Sequence, residues 1–405
     1  MKKLLVVLLV SAFIAPVFIV PVMADDMLDV SGTMRVRAWD KSNFDFDTDE
    51  DNDHQQFWDQ RLRMQGTLTP ADGVKAVFRV DLAEDRWGSE NWEGSRYSSD
   101  SELQVDRAYL DVTKGMVNII AGQAYWGLGN NYAYDNNQTG IGITLKMPVA
   151  VTVGFLKVDE DTTDAGDLTD ETGFEDIDHY FINLGYESDT FSASAFYAMQ
   201  KDGTAAEDEP TLMGAMGKFA VGPINIMAEL DMFGGSNTTT DYVGTQLYVD
   251  ASLKLSDALT TGLQLVYSDG EDKADEEKLV RLPGNFFGST YYADLGPFNT
   301  DICPLGDGDV MDPLDTNSGA MGGGVYATFK PMDALTLSGQ LLYLMGMEDS
   351  VDGMFDSGYV IGVGADYMLV QNANLAVEYL YADLDKVNVD TDKASAMVAR
   401  IEVAF

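Results

Sequence analysis

A single cysteine (Cys303), two histidines (His54 and His179) and eleven prolines are all that the 405 residues hold of these types. One thiol excludes a disulfide framework. The two histidines have no Cys/His spacing around them, and no glycine-rich phosphate loop or haem-attachment motif is present. A nucleophile–histidine pair needs a carboxylate-positioned histidine, and no motif here supplies one, so the chain reads as a non-enzyme without cofactor or metal centre. Basic residues are also scarce: Lys+Arg total 25 against 67 Asp+Glu, a net charge of -42. Phosphate binding needs a basic face, which excludes nucleic acid as a partner. Beyond the first 24 residues no stretch reaches the ~18 consecutive apolar residues of a helical span. Disorder is excluded too, because 45% of the chain is hydrophobic and aromatic residues are abundant.

What is present begins with Lys2 and Lys3, then the apolar run Leu4 to Val22 interrupted by Pro16 and Pro21, then Val22-Met23-Ala24 before Asp25-Asp26. This order of basic, apolar and small residues reads as a secretory signal peptide over 1–24. Removing its two lysines leaves 23 basic residues against 67 acidic, or -44 for the mature chain. No Pro- or Ser-rich linker divides residues 25–405, so they are expected to form one domain.

Eighteen segments, most of about ten residues, alternate apolar and polar side chains with period two. Ile224, Ile226, Ala228, Leu230 and Met232 stand against Asn225, Glu229 and Asp231. The connections alternate in length. Short ones hold turn residues, as in Pro70-Ala71-Asp72-Gly73, Lys114-Gly115 and Gly222-Pro223, and long polar ones lie between them at 41–54, 85–100, 159–176 and 269–318. Alternating strands with short turns on one side and long loops on the other predict an all-β, antiparallel transmembrane barrel. The expected count is 18 strands; 16 is the alternative, because the segments between 116 and 158 are short. Tyr186, Phe191, Tyr343, Tyr359, Tyr367, Tyr379, Tyr381 and Phe405 fall near strand ends on the apolar face, as interfacial aromatic girdles do.

The last segment, Ala394 to Phe405, sets Ala399, Ile401, Val403 and Phe405 on one face and Arg400 and Glu402 on the other. Such a strand left unpaired would template aggregation. It is expected to pair on both sides, including with the first strand, and so to close a cylinder. With its terminal Phe405, this strand resembles the closing strand of the Gram-negative outer-membrane β-barrels. The resemblance is to the general porins. It implies an outer-membrane location, passive diffusion of small hydrophilic solutes or ions through a water-filled lumen, and a homotrimer. The barrels of this class often carry Gly-Arg-Gln at one strand end; here Ala121-Gly122-Gln123 stands in its place.

Arginine placement is the most informative internal signal. Alternation turns Arg35, Arg37, Arg61, Arg63, Lys75, Arg79, Arg107 and Arg400 toward the lumen. Seven of the ten arginines thus fall on five contiguous strands. Asp106, beside Arg107, would then face lipid. Half-way round the ring, Glu229, Asp231 and Asp250 point inward, so the two walls resemble a porin eyelet with basic and acidic sides. The alternative is that Asp81, Asp111 and Glu402 neutralise the arginines as wall salt bridges, and both arrangements can hold together. Residues 122–138, the third outer loop, carry only Asp135 as a charge. They include Tyr125, Trp126, Tyr132 and Tyr134 as constriction candidates; 269–318 is the rival. Residues 159–178 hold ten Asp/Glu and no basic residue, and Asp45, Asp47, Asp49, Asp51 and Asp53 alternate in the first loop. A solvated acidic rim is one reading of these loops; divalent cations prefer such oxygen clusters, so bridges to cations and lipopolysaccharide are the other. A surface adhesin or structural barrel with cation-binding loops, and an export channel for an anionic polymer, are the alternative functions. The acidic residues on the far wall weigh against a lumen that is basic all round.

Overall fold

The structure is a computed structural model and describes residues 27–43, 54–87, 103–159, 176–203, 208–270, 276–278, 319–347, 355–388, 390–391 and 393–405. The expected signal peptide, most of the acidic loop residues and Cys303 lie outside them. Among the described residues nineteen strands follow in order. They are β1 (Leu28–Ser42), β2 (His54–Ala71), β3 (Val74–Arg86), β4 (Leu103–Lys114), β5 (Val117–Gly127) and β6 (Asp135–Leu145). Then come β7 (Ala150–Asp159), β8 (Ile177–Glu187), β9 (Phe191–Asp202), β10 (Glu209–Val221), β11 (Ile224–Ser236), β12 (Asp241–Lys254) and β13 (Leu259–Ser268). The last are β14 (Glu276–Lys278), β15 (Ala320–Met332), β16 (Leu335–Gly346), β17 (Phe355–Val370), β18 (Ala373–Lys386) and β19 (Ala394–Ala404).

All but β14 pair antiparallel with their neighbours, and β1 pairs with β19, so the ring closes at 18 strands rather than 16. β14 is a three-residue parallel addition to Asp241–Val243 of β12. The closing register runs from Thr33 opposite Ala404 to Ser42 opposite Ser395. Beyond it the Phe405 amide donates to the Gly32 carbonyl at 3.0 Å and the Gly32 amide to the Phe405 carbonyl at 2.9 Å. Closure satisfies the backbone groups that an open edge would leave bare in hydrocarbon.

Alternation sorts the side chains. Leu230, Leu265, Leu341, Val363, Val377 and Ile401 stand exposed on the outer surface, forming a belt suited to lipid. Tyr186, Phe191, Tyr343, Tyr367, Tyr379 and Phe405 are exposed with them. Tyr359 and Tyr381 share that face, their rings 6.1 Å apart. The inner surface is not uniformly polar. Leu342, Leu344, Val360, Leu380, Leu384 and Val398 are buried inward, in one cluster with Trp39, Tyr132 and Tyr248. The strands between β16 and β19 are therefore apolar on both faces over part of their length, and Ala394, Ala396 and Val398 join that inner surface instead of the outer belt. At the short turns Gly73, Gly115, Gly222 and Asn372 take φ of +61° to +72°, the left-handed region that glycine and asparagine tolerate best.

One departure from simple alternation corrects the reading of Asp106. Phe78 opposes Ala108 and Arg79 opposes Arg107, but Val80 opposes Val105. Asp106 is the extra residue of a β-bulge, which breaks the period of two. Val105 takes the outer position and is exposed, while the Asp106 carboxylate accepts from Arg79 Nε.

Candidate functional site

The basic wall comes from β19, β1, β2, β3 and β4. Cross-strand register places like charges directly opposite one another: Arg35 faces Arg61, Arg37 faces Arg400, and Arg79 faces Arg107. Such pairs repel, and carboxylates between them compensate. Arg37 donates from Nε and a terminal nitrogen to both oxygens of Asp59, at 2.8 and 2.7 Å. Arg63 grips Asp81 in the same two-pronged way at 2.6 Å each. Asp106 bonds Arg79 and lies 3.9 Å from Arg107. Arg400 lies 3.8 Å from Glu378 of β18. Trp39 adds a hydrogen bond to Asp59 at 2.9 Å, and its ring lies 4.8 Å from the Arg37 guanidinium and 4.9 Å from Lys41. Lys75 is exposed and sits opposite Asp111.

Of the three expected neutralising carboxylates, Asp81 is one. Asp111 instead accepts from the Asn118 side chain at 2.5 Å, because the tight β4–β5 hairpin brings Asn118 alongside. Glu402 sits opposite Arg35 in register. Asp59, Asp106 and Glu378 were not legible as partners: Asp59 depends on a register set across the long β1–β2 connection, Glu378 on the β18–β19 pairing, and Asp106 on a bulge.

Nine steps round the 18-strand ring from β2 lies β11. There Glu229 and Asp231 are each 1% exposed and face inward. On β12 Asp250 accepts from the Tyr326 hydroxyl at 3.1 Å. These three carboxylates thus stand on β11 and β12, across the ring from the arginine-bearing strands.

The third connection bends into the barrel. β5 runs to Gly127 and β6 starts at Asp135, so the irregular part is residues 128–134, shorter than the 122–138 expected from composition. A hydrogen bond from the Asn131 amide to the Leu128 carbonyl at 2.9 Å closes it, with Gly129 and Asn131 at φ +60° and +69°. Leu128, Tyr132, Ala133 and Tyr134 are buried. The Asn130 amide donates to Glu229 Oε2. The Tyr132 ring meets Tyr248 edge-on at 4.5 Å. The Tyr134 hydroxyl pairs with His179 Nδ1 at 3.1 Å, and His179 Nε2 with the Gln200 side-chain oxygen at 3.0 Å. Contacts with β8, β11 and β12 from a turn between β5 and β6 require it to lie within the lumen. Trp126 is buried on the wall beside it, its ring 6.0 Å from Phe181. Tyr125 is partly exposed, its ring 5.1 Å from the Arg107 guanidinium. His179 was readable only as a strand residue, although it shares the parity of inward Phe181. His54 is at the outer end of β2, 3.1 Å from Asp40. The rival constriction loop, 269–318, lies outside the described residues except for residues 269–270 and β14. At the β18–β19 connection, Tyr381 and Asp383 hold the exposed Lys393 ammonium above its ordinary range.

No protein-family model and no curated protein matches the sequence. Solved structures match it in fold. A BenF-like porin from Pseudomonas fluorescens Pf-5 aligns with TM-score 0.61 at 12% identity, over 94% of this chain and 99% of that one. OccAB3 of Acinetobacter baumannii aligns with TM-score 0.61 at 11% identity, over 95% and 100%. OccK11 (OpdR) of Pseudomonas aeruginosa aligns with TM-score 0.60 at 10% identity, over 93% and 96%. A closed 18-strand barrel of matching length, with an apolar exterior, gives this chain the fold of the Gram-negative outer-membrane porins.

Proposed function

We propose that the protein is an outer-membrane porin through which small hydrophilic solutes or ions diffuse passively. The observation that carries this reading is the inward turn 128–134, which lies between a wall of arginine–carboxylate pairs and the Glu229–Asp231 wall. A structural barrel or adhesin gains nothing from opposed charges around a narrowed lumen, whereas a channel uses them to orient and sort polar solutes. In this reading Arg35, Arg37, Arg61, Arg63, Arg79, Arg107 and Arg400 form one side of the eyelet, Lys75 its lower basic end, and Glu229, Asp231 and Asp250 the other side. Tyr132 and Tyr134 narrow it. Divalent cations and lipopolysaccharide associate with the acidic outer loops, and the barrel assembles as a homotrimer, as the likeness to general porins suggests.

Planar-bilayer recording of the purified protein tests the proposal. Discrete, ohmic conductance steps are expected. A folded, heat-modifiable barrel that inserts yet conducts nothing overturns it in favour of a structural or adhesive role.

A further inference from the structure

Two carboxylates side by side are costly to bury without a counter-charge. Glu229 and Asp231 are each 1% exposed and stand two residues apart on the inner face of β11. Glu229 has the Asn130 amide on one oxygen; its other oxygen, and both oxygens of Asp231, have no donor. The basic wall is on the opposite side of the ring, and Lys218, on β10, is the lysine that acts on Glu229. A second group points to the same place. Gln246 stands opposite Asp231 in the β11–β12 register. It is 1% exposed, and neither its side-chain oxygen nor its nitrogen has a partner. A buried primary amide with both ends unsatisfied is unusual and calls for a ligand or an ordered water. Asp231 leans over Gly214 of β10, whose missing side chain leaves room for the carboxylate: an added Cβ there would lie 2.4 Å from Oδ1.

We propose that Glu229, Asp231 and Gln246 form a binding site for one hard divalent cation, of the calcium class, in the lumen wall. Two carboxylates neutralise its charge. Glu229 Oε1, both Asp231 oxygens and Gln246 Oε1 supply four of the six to eight oxygens such an ion takes, and lumen water supplies the others. The ion also fixes Glu229, which holds the tip of the 128–134 turn through Asn130, so its binding stiffens the constriction. A proton shared between the two carboxylates is the competing way to settle the same charge.

The test uses the full-length folded protein in detergent, stripped with EDTA and titrated with calcium chloride, read by calorimetry and by thermal unfolding. A saturable site above the weak background of the acidic loops is expected, with a midpoint of unfolding that rises with calcium. Asp231→Asn should weaken that site roughly tenfold or more. Gln246→Met keeps both carboxylates and the side-chain volume and removes one ligand oxygen; it should weaken the same site and leave the background unchanged. If Asp231→Asn fails to fold, the Gln246→Met titration decides alone. Wild-type binding in the Gln246→Met protein overturns the site. So does a wild-type protein whose unfolding ignores calcium while Asp231→Asn stabilises it with or without the ion, the signature of a shared proton.

Discussion

Arg37 and Asp59 show how much a residue's surroundings decide what its charge does. Both lie in the wall, with Asp59 3% exposed, and they are joined by two bonds of 2.7–2.8 Å. Removing one partner of a buried pair strands the other charge, at about 3–5 kcal/mol, whereas replacing both with apolar groups of similar volume is often neutral. Arg37→Ala is therefore expected to lower the urea midpoint of the vesicle-inserted barrel sharply, and Arg37→Met with Asp59→Leu to restore most of it. A double variant as unstable as the single one would mean that the pair itself, not the stranded carboxylate, carries the stability. The inward direction of these arginines was legible from alternation, because one residue of register error would place a guanidinium in lipid, at about 2–4 kcal/mol. Their partners were legible only where a short turn fixes the register. Arg63 and Asp81 oppose one another across the Pro70–Gly73 turn, and Asp81 was foreseen. Arg37 and Asp59 are paired across a long connection, whose length says nothing about register, and Asp59 was not.

At the scale of elements, strand positions and number follow from period two, and the departures have local causes. A bulge moves Asp106 inward, and runs such as Leu341-Leu342-Tyr343-Leu344 hide their inner face because both faces are apolar. The 128–134 turn was recognisable by composition, but its bounds were not, since Tyr125 and Trp126 extend β5 rather than join the turn. What keeps it inside the barrel is close backbone approach: a Cβ on Gly129 would lie 2.5 Å from Glu229 Oε1, at φ +60°. Gly129→Ala therefore meets both a left-handed backbone penalty of about 1–2 kcal/mol and a clash with the carboxylate. The turn should withdraw from Glu229, and single-channel conductance should rise while the heat-modifiable barrel persists. Unchanged conductance in a folded Gly129→Ala protein would show that this turn does not set the narrowest section.

For the whole molecule, charge inside the barrel and charge in the sequences connecting the strands respond differently to salt. Inside the barrel the basic wall is matched locally by Asp59, Asp81, Asp106 and Glu378, so its net field is smaller than its arginine count suggests. The chain as a whole carries -42, and much of that sits in the sequences connecting strand ends, such as 160–176 with eight acidic residues and no basic one. Charges at a wet mouth act through solvent and are screened within a Debye length, about 8 Å at 0.15 M salt and about 3 Å at 1 M. Charges beside a narrow, partly dehydrated passage are screened much less. If the rim dominates, the reversal potential under a fixed salt ratio should report strong cation preference at low ionic strength, and that preference should decay as salt approaches ~1 M. Replacing the eight acidic residues of 160–176 with their amides should remove most of the low-salt preference without altering conductance at ~1 M, where the rim is already screened. A cation preference that survives both high salt and this neutralised loop would place selectivity at Glu229, Asp231 and Asp250, and would make the outer acidity irrelevant to permeation.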